Sequence, residues 1–109
     1  MIQEDVYDGR DNTIWLGLRV ARELIPLNLI TNAELFVGDN LRFNAETLGG
    51  SGADKPFDWT SYGDQGILIL RLGHLSVPLA TYLCKLVIYT QESPSGVLWD
   101  YLRLRFKAI

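Results

Sequence analysis

The chain has 109 residues, with 10 Lys and Arg, 13 Asp and Glu, one His, one Cys and a formal net charge of −3. Hydrophobic residues make up 48% and charged residues 21%, the figures of a globular chain and not of a disordered one. At this length one small domain is expected; the single Cys excludes an internal disulfide framework and multi-cysteine metal sites, and a pI near 5.0 argues against a basic footprint for nucleic acid.

No apolar run is long enough to span a membrane, and the N-terminus is acidic where a signal peptide would be basic and then greasy. A soluble, unprocessed protein made inside a cell is therefore expected. The acids are unevenly placed. Residues 1–12 hold Glu4, Asp5, Asp8 and Asp11 against Arg10 alone, a sum of −3, and the rest of the chain sums to zero. Residues 1–12 are accordingly read as an acidic N-terminal arm and 13–109 as a single domain. The arm is either a solvated terminus or a segment that docks on a basic strip of this molecule or a neighbour.

From Thr13 the period is two: Ile14, Leu16, Leu18 and Val20 share one face, with Trp15, Gly17 and Arg19 on the other. Gly17 and Pro26 disfavour a helix here, so a strand running into a turn or short helical piece is expected. Ala33, Leu35 and Val37, then Leu41, Phe43 and Ala45, form two alternating runs joined by Gly38-Asp39-Asn40, which reads as a hairpin. Residues 47–66 hold five of the ten glycines and form a glycine-rich loop, with a short strand at 57–60. Residues 67–72 are apolar on both faces, as in a central strand covered on both sides or one partly covered by a partner. In 82–89 the inward face is Tyr82, Cys84, Leu86 and Ile88; after a turn at 91–96, Leu102, Leu104, Phe106 and Ala108 alternate with Tyr101, Arg103, Arg105 and Lys107. Six or seven short strands with regular turn signals predict an all-β antiparallel sandwich, with a jelly roll or small barrel as the alternative.

Catalytic patterns are not found. Gly49-Gly50-Ser51-Gly52-Ala53 lacks the second glycine of a nucleophile elbow and the Lys of a phosphate loop. His74 is the one imidazole and is expected to be structural or solvent-facing. Cys84 is expected to be a small buried hydrophobe, and Asp8, Asp11 and Asp39 do not have calcium-loop spacing. No catalytic, metal or cofactor-binding residue is assigned, and no cofactor is expected. The candidate partner or oligomer contacts are instead Glu4, Asp5, Asp8 and Asp11 of the arm, the aromatics Trp15, Trp59 and Tyr62, the apolar pair Ile67 and Ile69, and the cations Arg103, Arg105 and Lys107. Each has a bland counterpart: aromatics cover core edges, and charged strand faces are solvated or guard a sheet edge.

Several stretches resemble the small immunoglobulin-like β-sandwich domains of bacteriophage virion proteins. They are Asp11-Asn12-Thr13-Ile14-Trp15-Leu16, Ile25-Pro26-Leu27-Asn28-Leu29, and Thr81-Tyr82-Leu83-Cys84-Lys85-Leu86-Val87-Ile88-Tyr89 through Pro94-Ser95-Gly96-Val97-Leu98-Trp99. Ala80 stands where that pattern has glycine before the Thr-Tyr. The resemblance implies an immunoglobulin-like fold and a non-enzymatic structural protein in the virion, assembled in the host cytoplasm. Its length looks most like a head decoration or cement protein that binds the major capsid protein or another virion protein and forms a homo-oligomer, with no nucleic-acid or membrane partner. A tail, neck or baseplate connector is the second possibility. A carbohydrate-binding module stacking sugars on Trp59, Tyr62 and Tyr89 is the third.

Overall fold

The computed structural model describes residues 2–17, 19–20, 23–24 and 30–108, and its regular structure follows the period-two alternation of apolar side chains. In chain order the strands are β1 (Ile2–Tyr7), β2 (Ile14–Gly17), β3 (Arg19–Val20), β4 (Glu23–Leu24), β5 (Ile30–Val37), β6 (Leu41–Asn44), β7 (Phe57–Asp58), β8 (Ile67–Leu70), β9 (Thr81–Thr90) and β10 (Val97–Lys107), with a 3-10 turn at Gly63–Gln65. Leu18 and residues 25–29, on which part of the first expected strand and the Pro26 stop fall, lie outside the described residues.

Two sheets carry the fold. The larger has the order β1-β10-β9-β5-β6 and the smaller β2-β8-β7, while among the described residues β3 and β4 pair only with each other. The hairpin expected around Gly38-Asp39-Asn40 is β5–β6, with Glu34 opposite Asn44 and Val37 opposite Leu41. Gly38 sits at φ +62°, a left-handed conformation that most side chains avoid, which suits it to open that turn. Of the two readings of β8 the first holds within the molecule: Leu68, Ile69 and Leu70, on both faces of the strand between β2 and β7, are all buried.

One hydrophobic cluster draws on both sheets. Ile14 and Leu16 from β2, Phe57 from β7 and Leu68 and Leu70 from β8 meet Ala33, Leu35 and Val37 from β5. Cys84, Leu86 and Ile88 from β9, Leu102, Leu104 and Phe106 from β10, and Val6 from β1 join it, with Ile30, Ala45, Leu72 and Val77. The result is an all-β, sandwich-like arrangement whose core is built from inward rows of the two sheets. At roughly 1.5–3 kcal/mol for each fully buried large apolar side chain, this shared row is what holds the sheets face to face.

Two expectations are corrected. The sheets are not wholly antiparallel, because β1 runs parallel to β10, with Ile2 opposite Leu102 and Tyr7 opposite Lys107. A parallel neighbour needs a long connection, and nearly the whole chain intervenes between these two strands. Residues 2–7, placed in an arm outside the domain, are therefore an edge strand of the larger sheet, and Val6 is fully buried beneath it. The acidic segment conceals its alternation, because Glu4 stands in the inward row between Ile2 and Val6 yet stays exposed.

Candidate functional site

The acidic segment meets the cationic row of the last strand of its own molecule. The register puts Gln3 opposite Arg103, Asp5 opposite Arg105 and Tyr7 opposite Lys107, all on the outer face of the sheet. Arg105 donates from Nε to Asp5 Oδ1 at 3.0 Å and from its terminal nitrogen to Oδ2 at 3.2 Å, a bidentate pair. Lys107 Nζ lies 3.8 Å from Asp5 Oδ2 and 5.6 Å from the centre of the Tyr7 ring. Hydrogen bonding to the Arg105 guanidinium holds the Asp5 carboxyl below its usual range, and Asp5 in turn raises Arg105. On the β1 side Arg103 faces Gln3. Among the described residues, Arg103 has no carboxylate within salt-bridge distance.

The outer face continues across β9, β5 and β6. Leu83 lies opposite Arg103, Lys85 opposite Tyr101, and Val87 opposite Leu98. On the other side of β9, Phe36 faces Lys85 and Glu34 faces Val87; across β5, Phe36 faces Arg42 and Glu34 faces Asn44. Leu83, Leu98 and Tyr101 are 49%, 47% and 40% exposed, large values for apolar side chains on a sheet. Phe36 and Val87 are half-buried and do not join the core cluster. By contrast, Glu34 is buried and fully partnered. It accepts hydrogen bonds from Tyr89 Oη at 2.8 Å and Asn44 Nδ2 at 3.2 Å, and it pairs with Arg42 Nε at 3.2 Å. The bond to Glu34 pushes the Tyr89 phenol above its usual value.

Counting the side chains that register places outward, this face carries Arg42, Lys85, Arg103, Arg105 and Lys107 against Asp5 and Glu34. Its surplus is three positive charges on a chain whose total is −3. Sequence reasoning found Arg103, Arg105 and Lys107 but missed Lys85 and the apolar residues beside them. The signal was present in β9: while Cys84, Leu86 and Ile88 alternate inward, Leu83, Lys85 and Val87 form an equally regular outward row.

The other expected contact residues do not gather on this face. Trp15 is 51% exposed on the outer side of the smaller sheet, where its ring lies 4.8 Å from Tyr62 at a tilt of 46°. Trp59 instead packs partly against the core. Tyr89 belongs to the opposite sheet, so Trp59, Tyr62 and Tyr89 do not form one stacking platform. Ile67 is half-buried. Ile69 is 1% exposed between its cross-strand neighbours Trp15 and Asp58, so it offers no surface to a partner. Glu4 and Asp8 are exposed, and Asp11 Oδ1 lies 3.0 Å from Nε2 of the solvent-facing His74. Among the described residues no group of three or more His, Cys, Asp or Glu side chains is placed to hold a metal ion.

No protein-family model matches the chain, and neither a curated protein nor a solved structure matches it significantly.

Proposed function

We propose that this chain is an immunoglobulin-like domain acting as a non-enzymatic structural protein of a bacteriophage virion, a head decoration or cement protein that attaches to the capsid lattice. Three features support the immunoglobulin-like assignment. The order β10-β9-β5-β6 opposite β2-β8-β7 is that of a variable-type sandwich. Tyr82, at the start of β9, donates its hydroxyl to the Pro78 carbonyl 2.7 Å away, the contact that defines a tyrosine corner. Cys84 follows two residues later in the core, where the second cysteine of such domains falls, although no second cysteine exists to bridge it.

The observation that carries the function is the outer face of the larger sheet. Three exposed apolar side chains, Leu83, Leu98 and Tyr101, lie among cations on the adjacent strands β9 and β10, which is the composition of a protein-docking patch. Its surplus of positive charge opposes face-to-face pairing of two copies. Self-association would then use another surface, for which the exposed Trp15–Tyr62 pair is suited.

The test is co-sedimentation of the purified protein with particles assembled without it, together with its copy number in mature particles. Decoration requires hundreds of copies and saturable binding; a handful of copies would move the chain to a tail or neck connector, and no binding would remove the virion reading. Leu83→Glu should abolish attachment while the domain stays folded, since that side chain is half exposed.

A further inference from the structure

We infer that the partner of this face is an acidic protein surface, with separate carboxylates for Lys85 and Arg103 and an apolar side chain seated between Leu83 and Tyr101. The inference rests on the docking role proposed above and adds the chemistry of the partner. The four residues form a two-by-two block on neighbouring strands. Leu83 and Lys85 stand in line on β9, with Arg103 and Tyr101 facing them on β10. Apolar and cationic positions thus alternate, and each pair lies on a diagonal. Diagonal neighbours on a sheet are about 7–8 Å apart, far enough for the two cations to take two different carboxylates.

Neither edge protection nor neutralisation within the molecule accounts for these two cations. Guarding an edge against mispairing is a task of edge strands. Lys85 lies on β9, flanked by β10 and β5, and Arg103 lies where β10 is flanked by β9 and β1. Internal neutralisation is present on the same face, but elsewhere. Arg42 has Glu34, and Arg105 and Lys107 share Asp5. Among the described residues, the two outward cations without a carboxylate are the two that border exposed Leu83 and Tyr101. A second copy bound face to face would oppose like charges across a two-fold axis, so the occupant is a different surface of opposite sign.

Binding to particles assembled without this protein tests the inference. Lys85→Glu and Arg103→Glu should each weaken attachment about tenfold or more, and the double variant further. The neutral Lys85→Gln and Arg103→Gln should lose less, and Lys85→Arg should retain binding. Attachment of the unaltered protein should weaken as NaCl rises from about 50 to about 500 mM, because exposed pairs are screened over a few ångströms at high salt. All variants should melt with the unaltered protein; should a reversal disturb folding, the Gln pair and the salt series carry the test. If the charge variants and salt leave binding unchanged while Leu83→Glu abolishes it, the partner is not acidic and the inference falls with the docking role intact. If the unaltered protein does not bind particles at all, the docking role fails and takes the inference with it. Equal affinity for a short DNA duplex at the same salt would also overturn it, because an acidic protein surface would then not be what the face selects.

Discussion

Asp58 is fully buried on β7, where an isolated carboxylate would be driven to its neutral form, yet five hydrogen bonds reach it. Its Oδ1 accepts from the Thr60 and Ser61 amides and the Thr60 hydroxyl at 3.0–3.1 Å. Its Oδ2 accepts from the Ser61 hydroxyl at 2.6 Å and from Arg71 at 3.1 Å. Burial raises the carboxyl, but the bonds from Ser61, Thr60 and Arg71 outweigh it and hold the group well below the usual carboxylate range. A carboxyl lowered on folding adds stability that is complete above its unfolded pKa of about 3.9 and is lost as pH falls through and below that value. Urea melts should therefore weaken from about pH 5 downward, and Asp58→Asn should flatten that acid limb while lowering stability at pH 7. Asp58→Ala, which leaves Arg71 without its partner, should cost about 3 kcal/mol at neutral pH. Cys84 is the opposite case, since burial pushes its thiol up to about 11. At pH 8 about one molecule in a thousand then carries the thiolate, so a thiol reagent should be inert toward the native protein and titrate one group after denaturation. The buried thiol was legible from its inward place in an alternating run. The buried carboxylate was not, because its partners Ser61 and Arg71 lie outside its strand and β7 is only two residues long.

At the level of elements, the segment after β1 is seated by a glycine. Gly9 donates its amide to the Gly73 carbonyl at 2.7 Å, and Asn12 folds back to the Tyr7 and Arg10 carbonyls at 2.8 and 2.9 Å. A β-carbon on Gly73 would run into the Arg10 carbonyl and the Asn12 amide, both held in place by those bonds. Gly73→Ala should cost about 2 kcal/mol, read as a lower urea midpoint at unchanged slope. Gly17→Ala is the matched control, since among the described residues nothing lies within 4 Å of a β-carbon there, and it should leave the midpoint within about 0.5 kcal/mol of the parent. The strands β5, β6, β9 and β10 were legible because each carries its own inward row, although register shifts interrupt β5 between Ile30 and Asn32 and β10 between Leu98 and Asp100. β1 was hidden for a physical reason: its row is broken by Glu4, and the partner that makes it a strand lies at the far end of the chain. The docking block was half legible. Arg103 could be placed outward from β10 alone, but its neighbours Leu83 and Lys85 follow only once the β9–β10 register is known.

For the whole molecule, the order in which the sheet closes follows from the same long-range pairing. Asp5 and Arg105 are 100 residues apart, so β1 can join β10 only after the largest loop in the protein has closed. β9, flanked by β10 and β5, can assemble through much shorter separations. A transition state that minimises closure entropy therefore contains β9 and its neighbours and leaves β1 undocked. Val6 and Leu86 report on the two stages, since both are fully buried, one on β1 and the other on β9. Val6→Ala should remove about 1–2 kcal/mol, enough for kinetics to resolve where the loss falls. Nearly all of it should appear as faster unfolding, with a φ-value of about 0.2 or less, whereas Leu86→Ala should also slow folding. Stopped-flow chevrons of the two variants decide the matter. If Val6→Ala slows folding as strongly as Leu86→Ala, β1 belongs to the nucleus and the acidic strand guides the sheet's assembly instead of completing it.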